Sequence, residues 1–170
     1  MLNQKLVDMI NQQINLEWYS AYLYLQIHCY YSDQNLEGFE HWFLVQTQEE
    51  RDHAMLFMQY LQNNGGKVVF SDVVSDLMNF ENFREPLTAS LVHEELVTAS
   101  INEIYAYAYE IKDFRTMQFL DWFVKEQSEE EKNSDDNIKK YDLFGSDPRG
   151  LYLLDQELKQ RIYSAPSLVL

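Results

Sequence analysis

Four long stretches of the chain carry core-type side chains at alternating steps of four and three residues, the repeat of one face of an α-helix. The first stripe runs Ile10, Ile14, Glu17, Ala21, Tyr24, His28, and the second Phe39, Phe43, Gln46, Glu50, His53, Phe57, Tyr60. The third runs Leu87, Leu91, Glu94, Thr98, Ile101, Tyr105, Ala108, and the fourth Leu120, Phe123, Gln127, Glu130, Ser134, Asn137, Tyr141. The placement of helix breakers agrees with these four helices. Met1 to Glu37 contains no glycine or proline, Gly38 is followed by a clean run to Asn64, and Pro86 opens 58 unbroken residues from Leu87 to Phe144. Such spans, rich in Leu, Glu, Gln and Lys, favour helix throughout. Gly145, Pro148 and Gly150 then break the pattern, Leu151 to Arg161 predicts a short fifth helix, and Pro166 sits in what reads as a frayed tail.

The connections set the topology. The polar run Ser32 to Asn35 separates the first two helices, and Lys112-Asp113 is the expected turn between the third and fourth. Both are short, so each pair forms an antiparallel hairpin. Gly65 to Glu85 has little helical pattern, and its strand signal, Lys67 to Phe70, is weak. A link of this size is needed if both hairpins start at the same end. A helix of ~27 residues is roughly 40 Å long, and twenty extended residues reach about 65 Å. The predicted fold is all-α: a four-helix bundle with one long crossover between helices 2 and 3 and a short fifth helix, forming one domain over residues 1–162 with a tail at 163–170.

Composition narrows the function classes. Of the 170 residues, 46% are hydrophobic, enough for a full core. The formal charge of −15 disfavours nucleic acid and anionic membranes as partners and suits cations. A single cysteine, Cys29, leaves no intrachain disulfide and points to a reducing compartment. The N-terminus leads into an amphipathic segment, not a secretory apolar block, and no apolar run is long enough to span a membrane. A cytoplasmic location is therefore expected.

The candidate chemistry lies where the stripes should be apolar and are not. Glu17, Glu50, His53, Glu94 and Glu130 fall on the inward faces with Gln127, and no lysine or arginine shares those stripes. A buried charge must be paired, protonated or metal-bound, so the missing cation points to a metal. Spacing strengthens this. Glu17 to Glu50 and Glu94 to Gln127 are both 33 residues, while Glu17 to His53 and Glu94 to Glu130 are both 36. Each hairpin thus sets one carboxylate opposite an i, i+3 pair, and two facing hairpins bring all six groups to one level. Carboxylates with one imidazole and no thiolate suit iron or manganese. The pattern resembles carboxylate-bridged di-iron bundles, with Glu50-Arg-Asp-His53 present once and Gln127-Ser-Glu-Glu130 in place of a second Glu-x-x-His, so two unequal metal positions are expected. Glu49, Glu126 and Glu129 lie beside the core pairs and form a candidate third, weaker position.

These residues sit in longer stretches, Asn15 to Tyr24, Gln48 to His53, His93 to Glu95, Phe119 to Glu131 and Gly150 to Asp155, through which the chain resembles the bacterial non-haem ferritins over about residues 1–160. The resemblance implies iron storage with ferroxidase activity, using dioxygen or hydrogen peroxide as acceptor. It implies a di-iron centre with Glu17, Glu50 and His53 on one side and Glu50, Glu94, Gln127 and Glu130 on the other, and a third iron position at Glu49, Glu126 and Glu129. Tyr24 and Trp122 match aromatics that the family places beside the centre, as electron donors. A homo-oligomeric shell of 24 subunits storing ferric mineral is implied, with the fifth helix at a symmetry axis. Haem is not expected, because Gln127 departs from the haem-binding relatives and Arg51 stands where their haem-ligating methionine would be.

A rubrerythrin-like di-iron peroxidase or oxidase lacks support because no cysteine-rich iron domain accompanies the bundle. A mini-ferritin that protects DNA is disfavoured by the complete ligand set within one chain. A non-catalytic helical bundle predicts stability without metal and no oxidation of Fe(II). His28 reads as a hydrogen-bonded core histidine, His41 and His93 as surface or interface residues, Cys29 as a small packing residue, and Met9, Met55, Met58, Met78 and Met117 as gap fillers. Ser134 and Asn137 are unusually polar for their stripe.

Overall fold

A computed structural model describes residues 2–74 and 78–170. Residues 75–77 of the long link lie outside the described residues, as does Met1. The described residues form five helices and no strand: α1 (Gln4–Asp33), α2 (Glu37–Asn63), α3 (Glu85–Glu110), α4 (Phe114–Phe144) and α5 (Pro148–Leu158). The fifth helix begins three residues earlier than its sequence pattern predicts, because Asp147 caps it by accepting from Gly150 N and Pro148 fits the first turn. Side chains also cap α1 (Asn3 to Lys5 N) and α4 (Asp113 to Thr116 N).

The two short turns fall where expected, and each places one residue in the left-handed region: Asn35 at φ 57° and Lys112 at φ 58°. Asn tolerates this conformation readily; Lys112 is the less usual occupant. α1 pairs with α2, α3 with α4, and α1 lies against α3. The α2–α4 seam is filled by aromatic rings, with Phe57 and Phe123 centroids 4.2 Å apart and Tyr60 stacked on Phe119 at 4.0 Å.

The crossover runs along α1 and is held by side chains in place of a β-partner. Asn11 donates to Lys67 O (2.9 Å) and accepts from Val69 N (2.7 Å), and Asn15 donates to Val69 O (3.0 Å) and accepts from Ser71 N (2.8 Å). Two asparagine amides thus satisfy the backbone that the weak strand signal left unpaired. Near its far end, Phe83 O accepts from the Tyr31 hydroxyl (2.6 Å), and Phe80 and Phe83 pack edge-on against Tyr30. Asn11 and Tyr31 are about 30 Å apart along a helix axis, so the link travels most of the bundle's length.

Buried apolar side chains form two clusters. One includes Ile10, Ile14, Phe57, Ile101 and Phe123; the other includes Tyr24, Tyr31, Phe39, Phe43 and Leu87. Glu17, Glu50, Glu94 and Glu130 occupy the level between them.

α2 lacks a side-chain cap of its own. Asp155 of α5 supplies one, accepting from Gly38 N (2.7 Å) and Phe39 N (3.2 Å). A Cβ on Gly38 would stand 1.6 Å from Asp155 O, so only glycine admits this docking. Gly38→Ala is expected to detach α5 and leave two buried amides unsatisfied, at a cost of about 2 kcal/mol or more. Hydrogen exchange over residues 148–158, with the shift in melting temperature, measures the effect; unchanged protection there would refute it.

Beyond α5 the chain departs from the frayed tail its sequence suggests. Arg161 stacks on Trp42, the Tyr163 hydroxyl bonds Asp52, Trp122 Nε1 donates to Ser167 Oγ (3.0 Å), and Leu168 packs against the first cluster. These residues lie over the seam between α2 and α4.

Candidate metal centre

Helical repeat alone brings the four central carboxylates inward. Glu17 of α1, Glu50 of α2, Glu94 of α3 and Glu130 of α4 are all at least 96% buried, with His53 and Gln127 beside them. Glu17, Glu50 and His53 each offer a ligand atom, and these atoms lie within 4.8 Å of one another. His53 Nδ1 is 3.6 Å from Glu50 Oε2. On the other side, Gln127 Nε2 donates to Glu94 Oε2 (3.0 Å) and Tyr24 donates its hydroxyl to Glu94 Oε1. Gln46 Nε2 reaches Glu130 Oε2 (2.7 Å) and Glu50 Oε1 (3.3 Å), joining the two halves.

The donors to these carboxylates are neutral. Gln13 supplies Glu17 (2.7 Å), Gln46 supplies Glu50 and Glu130, and Gln127 and Tyr24 supply Glu94. Among the described residues, no lysine or arginine forms an ion pair with any of the four. Glu17 Oε2 is fully buried and has no hydrogen-bond partner among the described residues.

Burial therefore dominates the protonation chemistry. It pushes Glu17 up to about 8, helped by the charge of Glu50, and pushes Glu130 up to about 8, helped by Glu94. Burial likewise raises Glu50 well above the usual carboxylate range, with Glu94 and Glu130 adding repulsion. Glu94 rises for the same first reason, against the pull of its bonds from Tyr24 and Gln127. Without a metal, the cluster lowers its cost by holding protons.

The outer three glutamates are arranged differently. Glu49, Glu126 and Glu129 line a pocket of about 350 Å³ together with His53, Trp122 and Glu130. The pocket adjoins the buried cluster, since His53 and Glu130 belong to both. Glu49 and Glu126 are half-buried and Glu129 is exposed. Burial raises Glu49 and Glu126, while the Arg161 guanidinium pulls Glu49 back down. Lys125 lies 3.9 Å from Glu129.

A family profile described as the ferritin-like domain matches residues 7–144. The chain belongs to the ferritin family. A probable bacterial non-heme ferritin-like protein of Haemophilus influenzae is 35% identical over 158 residues, covering 93% of this chain and 96% of its own. The bacterial non-heme ferritin of Staphylococcus saprophyticus is 32% identical over 163 residues, covering 96% and 98%. Among solved structures, an open pore ferritin from the hyperthermophilic archaeon Archaeoglobus fulgidus superposes with a TM-score of 0.93 at 39% identity, covering 95% of this chain and 100% of that one.

Several details of this ferritin differ from the expectations drawn from its sequence. His93 is not a surface residue: it is buried, its Nε2 lies 2.7 Å from Ser20 Oγ, it packs against Tyr19, and burial pushes its pKa down to about 4. It sits one position before Glu94, so it faces α1 across the α1–α3 contact, which the stripe alone does not report. Cys29 is exposed and packs no core, and Met55 is half exposed. As expected, His28 is hydrogen-bonded, with Nδ1 3.0 Å from Glu40 O in a partly buried position; His41 Nε2 lies 2.8 Å from Arg161 O. The polar Ser134 meets Ser90 at 3.3 Å, and Asn137 is buried. Trp122 is half-buried, its ring edge-on to His53 at 5.6 Å. Gln13, Gln46 and Arg161 also contribute, although the sequence pattern assigns none of them to the site. Gln46 lies on the second stripe, whereas Arg161 reaches the site from distant sequence with no local signal.

The raised carboxyls predict how stability depends on pH. The unfolded chain releases these protons near 4.5, while Glu17 and Glu130 hold theirs to about 8 in the folded state. The folded state thus binds more protons between those values, and metal-free protein loses stability as pH rises through that window, by up to about 1.4 kcal/mol per pH unit for each such group. Melting of metal-free protein at steps from about pH 5 to about pH 8 tests this. A melting temperature that climbs across the window would mean that the carboxyls are ionised even when buried.

Proposed function

We propose that this chain is an iron-storage ferritin that oxidises Fe(II) at the buried cluster. The carrying observation is a set of four buried carboxylates and one imidazole supplied only with neutral donors. Such a set can exchange its protons for a cation, which then meets carboxylates that no ion pair has neutralised, and Glu17 Oε2 has no hydrogen-bond partner of its own among the described residues. Oxygen and imidazole donors without thiolate fit Fe(II).

In this reading Glu17, Glu50 and His53 bind one Fe(II), and Glu50, Glu94, Gln127 and Glu130 bind the second, with Glu50 between them. Gln127 contributes a neutral amide where Glu50 contributes a charge, so the two positions differ in affinity. Two Fe(II) held close together deliver two electrons to one dioxygen, which takes up two protons and leaves as hydrogen peroxide; peroxide serves as an alternative acceptor. Loading the cluster displaces the protons held on Glu17 and Glu130. Tyr24 and Trp122 border the two sides of the site, through Glu94 and His53 respectively; where dioxygen is reduced to water instead of leaving as peroxide, each supplies one of the two further electrons with a proton, and a later Fe(II) returns that electron. The Fe(III) passes by Glu130 to the outer pocket of Glu49, Glu126 and Glu129, and from there to mineral.

Storage requires an enclosed volume, and we extend the proposal to a cytoplasmic shell of 24 copies. The resemblance to bacterial non-haem ferritins supports it. So do exposed apolar side chains on the single chain, including Val92, Leu96, Tyr109, Leu143, Tyr152 and Leu153, which contacts between copies would cover. No described helix is long and apolar enough to cross a membrane.

Aerobic addition of Fe(II) tests the proposal, following ferric absorbance, oxygen consumption and particle mass. Retention of hundreds of irons per large particle is expected. Saturation at two per chain without a particle would instead indicate an oxidase. Glu50→Ala is expected to slow the initial oxidation by about a hundredfold. It should leave thermal stability unchanged or raised, because it removes a carboxyl whose ionisation burial and the neighbouring Glu94 and Glu130 oppose. Oxidation at the parental rate would remove Glu50 from the site.

A further inference from the structure

Arg161 is the one arginine that lines the outer pocket, and it is tied down on every side. Its guanidinium lies 4.1 Å from the Trp42 ring centre. Nη1 donates to Gln46 Oε1 (2.7 Å) and Trp42 O (3.3 Å), and Nη2 donates to the Glu49 carboxylate. Trp42, Gln46 and Glu49 are one and two turns apart on the same face of α2, so a single guanidinium spans that face. The ion pair is largely buried, with the Arg161 and Glu49 side chains 13% and 16% exposed. Downstream, Ser164 to Ser167 form a wall of the pocket, pinned at its ends by the bonds of Tyr163 to Asp52 and Ser167 to Trp122.

This placement has an electrostatic consequence. Glu49 is the most buried of the three outer glutamates and the one nearest in sequence to Glu50. Its charge is already matched by a guanidinium. A divalent cation lodging against Glu49 would meet a like charge within a few ångströms in a partly desolvated pocket, where repulsion is poorly screened. Cation and guanidinium therefore compete for the same carboxylate. The guanidinium is attached to a segment that carries no regular structure after α5, so it is able to withdraw without disturbing a helix.

We propose that Arg161 is a tethered counter-ion that fills the outer cation position in the resting chain, so that the C-terminal strap sets the affinity of that position and releases Glu49 when an ion moves out of the buried cluster. This deepens the proposed function and rests on its outer position at Glu49, Glu126 and Glu129. Arg161 touches no reacting atom in this scheme; it acts through Glu49. The strap keeps the outer position weak for ions arriving from bulk water, which directs the first ions to the uncompensated cluster inside.

The test uses the full-length assembled protein and Zn(II), a redox-inert probe, titrated calorimetrically. The parent is expected to bind ions tightly at the buried positions and weakly outside. Arg161→Gln removes the charge but keeps a donor for Gln46. It is expected to tighten the outer ion about tenfold or more, with a smaller tightening at the inner position that includes Glu130, which feels the same guanidinium. Adding Glu49→Gln should abolish that gain. A second measurement needs no variant: hydrogen exchange over residues 159–168 of the parent should accelerate when the outer position fills, and not while the inner positions fill. Outer affinity unmoved by Arg161→Gln, or strap protection unmoved by outer loading, overturns the strap proposal alone. Absence of Zn(II) at the buried positions overturns the proposed function and this inference with it.

Discussion

This bundle is arranged around the cost of burying four carboxylates with no ion-paired lysine or arginine among the described residues to neutralise them. The chain does not lower that cost with lysine or arginine, which would remove the charge permanently. It uses amides and a phenol. Gln13, Gln46, Gln127 and Tyr24 hold the carboxylate oxygens in place and leave their charge unspent. Packing on either side makes this tolerable. The aromatic clusters above and below are closely packed, with Phe57 against Phe123 in one and Tyr31 stacked on Phe39 in the other. They fix the helices firmly enough that repulsion at the middle level does not splay them. Remaining repulsion is relieved by protonation, which is reversible and yields to an incoming cation.

The same constraint accounts for the asymmetry of the two hairpins. Matched separations of 33 and 36 residues place equivalent groups at one level, yet their chemistry differs. In the first hairpin the i, i+3 pair is Glu50 and His53, and both present ligand atoms alongside Glu17. In the second it is Gln127 and Glu130, and the amide is used to bind Glu94. A fifth carboxylate at 127 would raise the repulsion further; a glutamine there contributes a bond instead. The proposed two-ion site is therefore asymmetric because only one side carries the imidazole, and only the other carries an amide already engaged with its own carboxylate.

Much of this was legible in the sequence, for a definite reason. Helical periodicity is a local property, so four stripes with polar interruptions report both the bundle and the level at which Glu17, Glu50, His53, Glu94, Gln127 and Glu130 meet. The crossover was legible from its length, but its attachment was not: nothing local marks Asn11 and Asn15 as partners for the backbone of residues 67–71. His93 was misjudged because position on a stripe reports one contact face, and the close α1–α3 packing buries a second one. Cys29 shows the reverse error, since small apolar character does not ensure a buried position. The attachment of the C-terminal segment carries no local signal at all. Its placement depends on Gly38 admitting Asp155 against the α2 terminus, a contact across 117 residues with no periodic signature.

That contact also explains how a residue so late in the chain comes to stand beside the cluster. Asp155 fixes α5 at the start of α2, and the strap then leaves α5 running in the direction of α2, passing Trp42, Gln46, Glu49 and Asp52 in turn. Charge compensation consequently rises from the centre outward. Among the described residues no ion pair reaches the four buried carboxylates, Glu49 has a largely buried guanidinium, and Glu129 has only a solvent-exposed lysine nearby. Where compensation is absent an added cation gains most, and where a tethered cation is already present it gains only the difference between itself and that partner. A gradient of this kind ranks binding positions by depth without any moving part at the centre, and it confines adjustability to the strap, the one element near the site whose displacement breaks no helix.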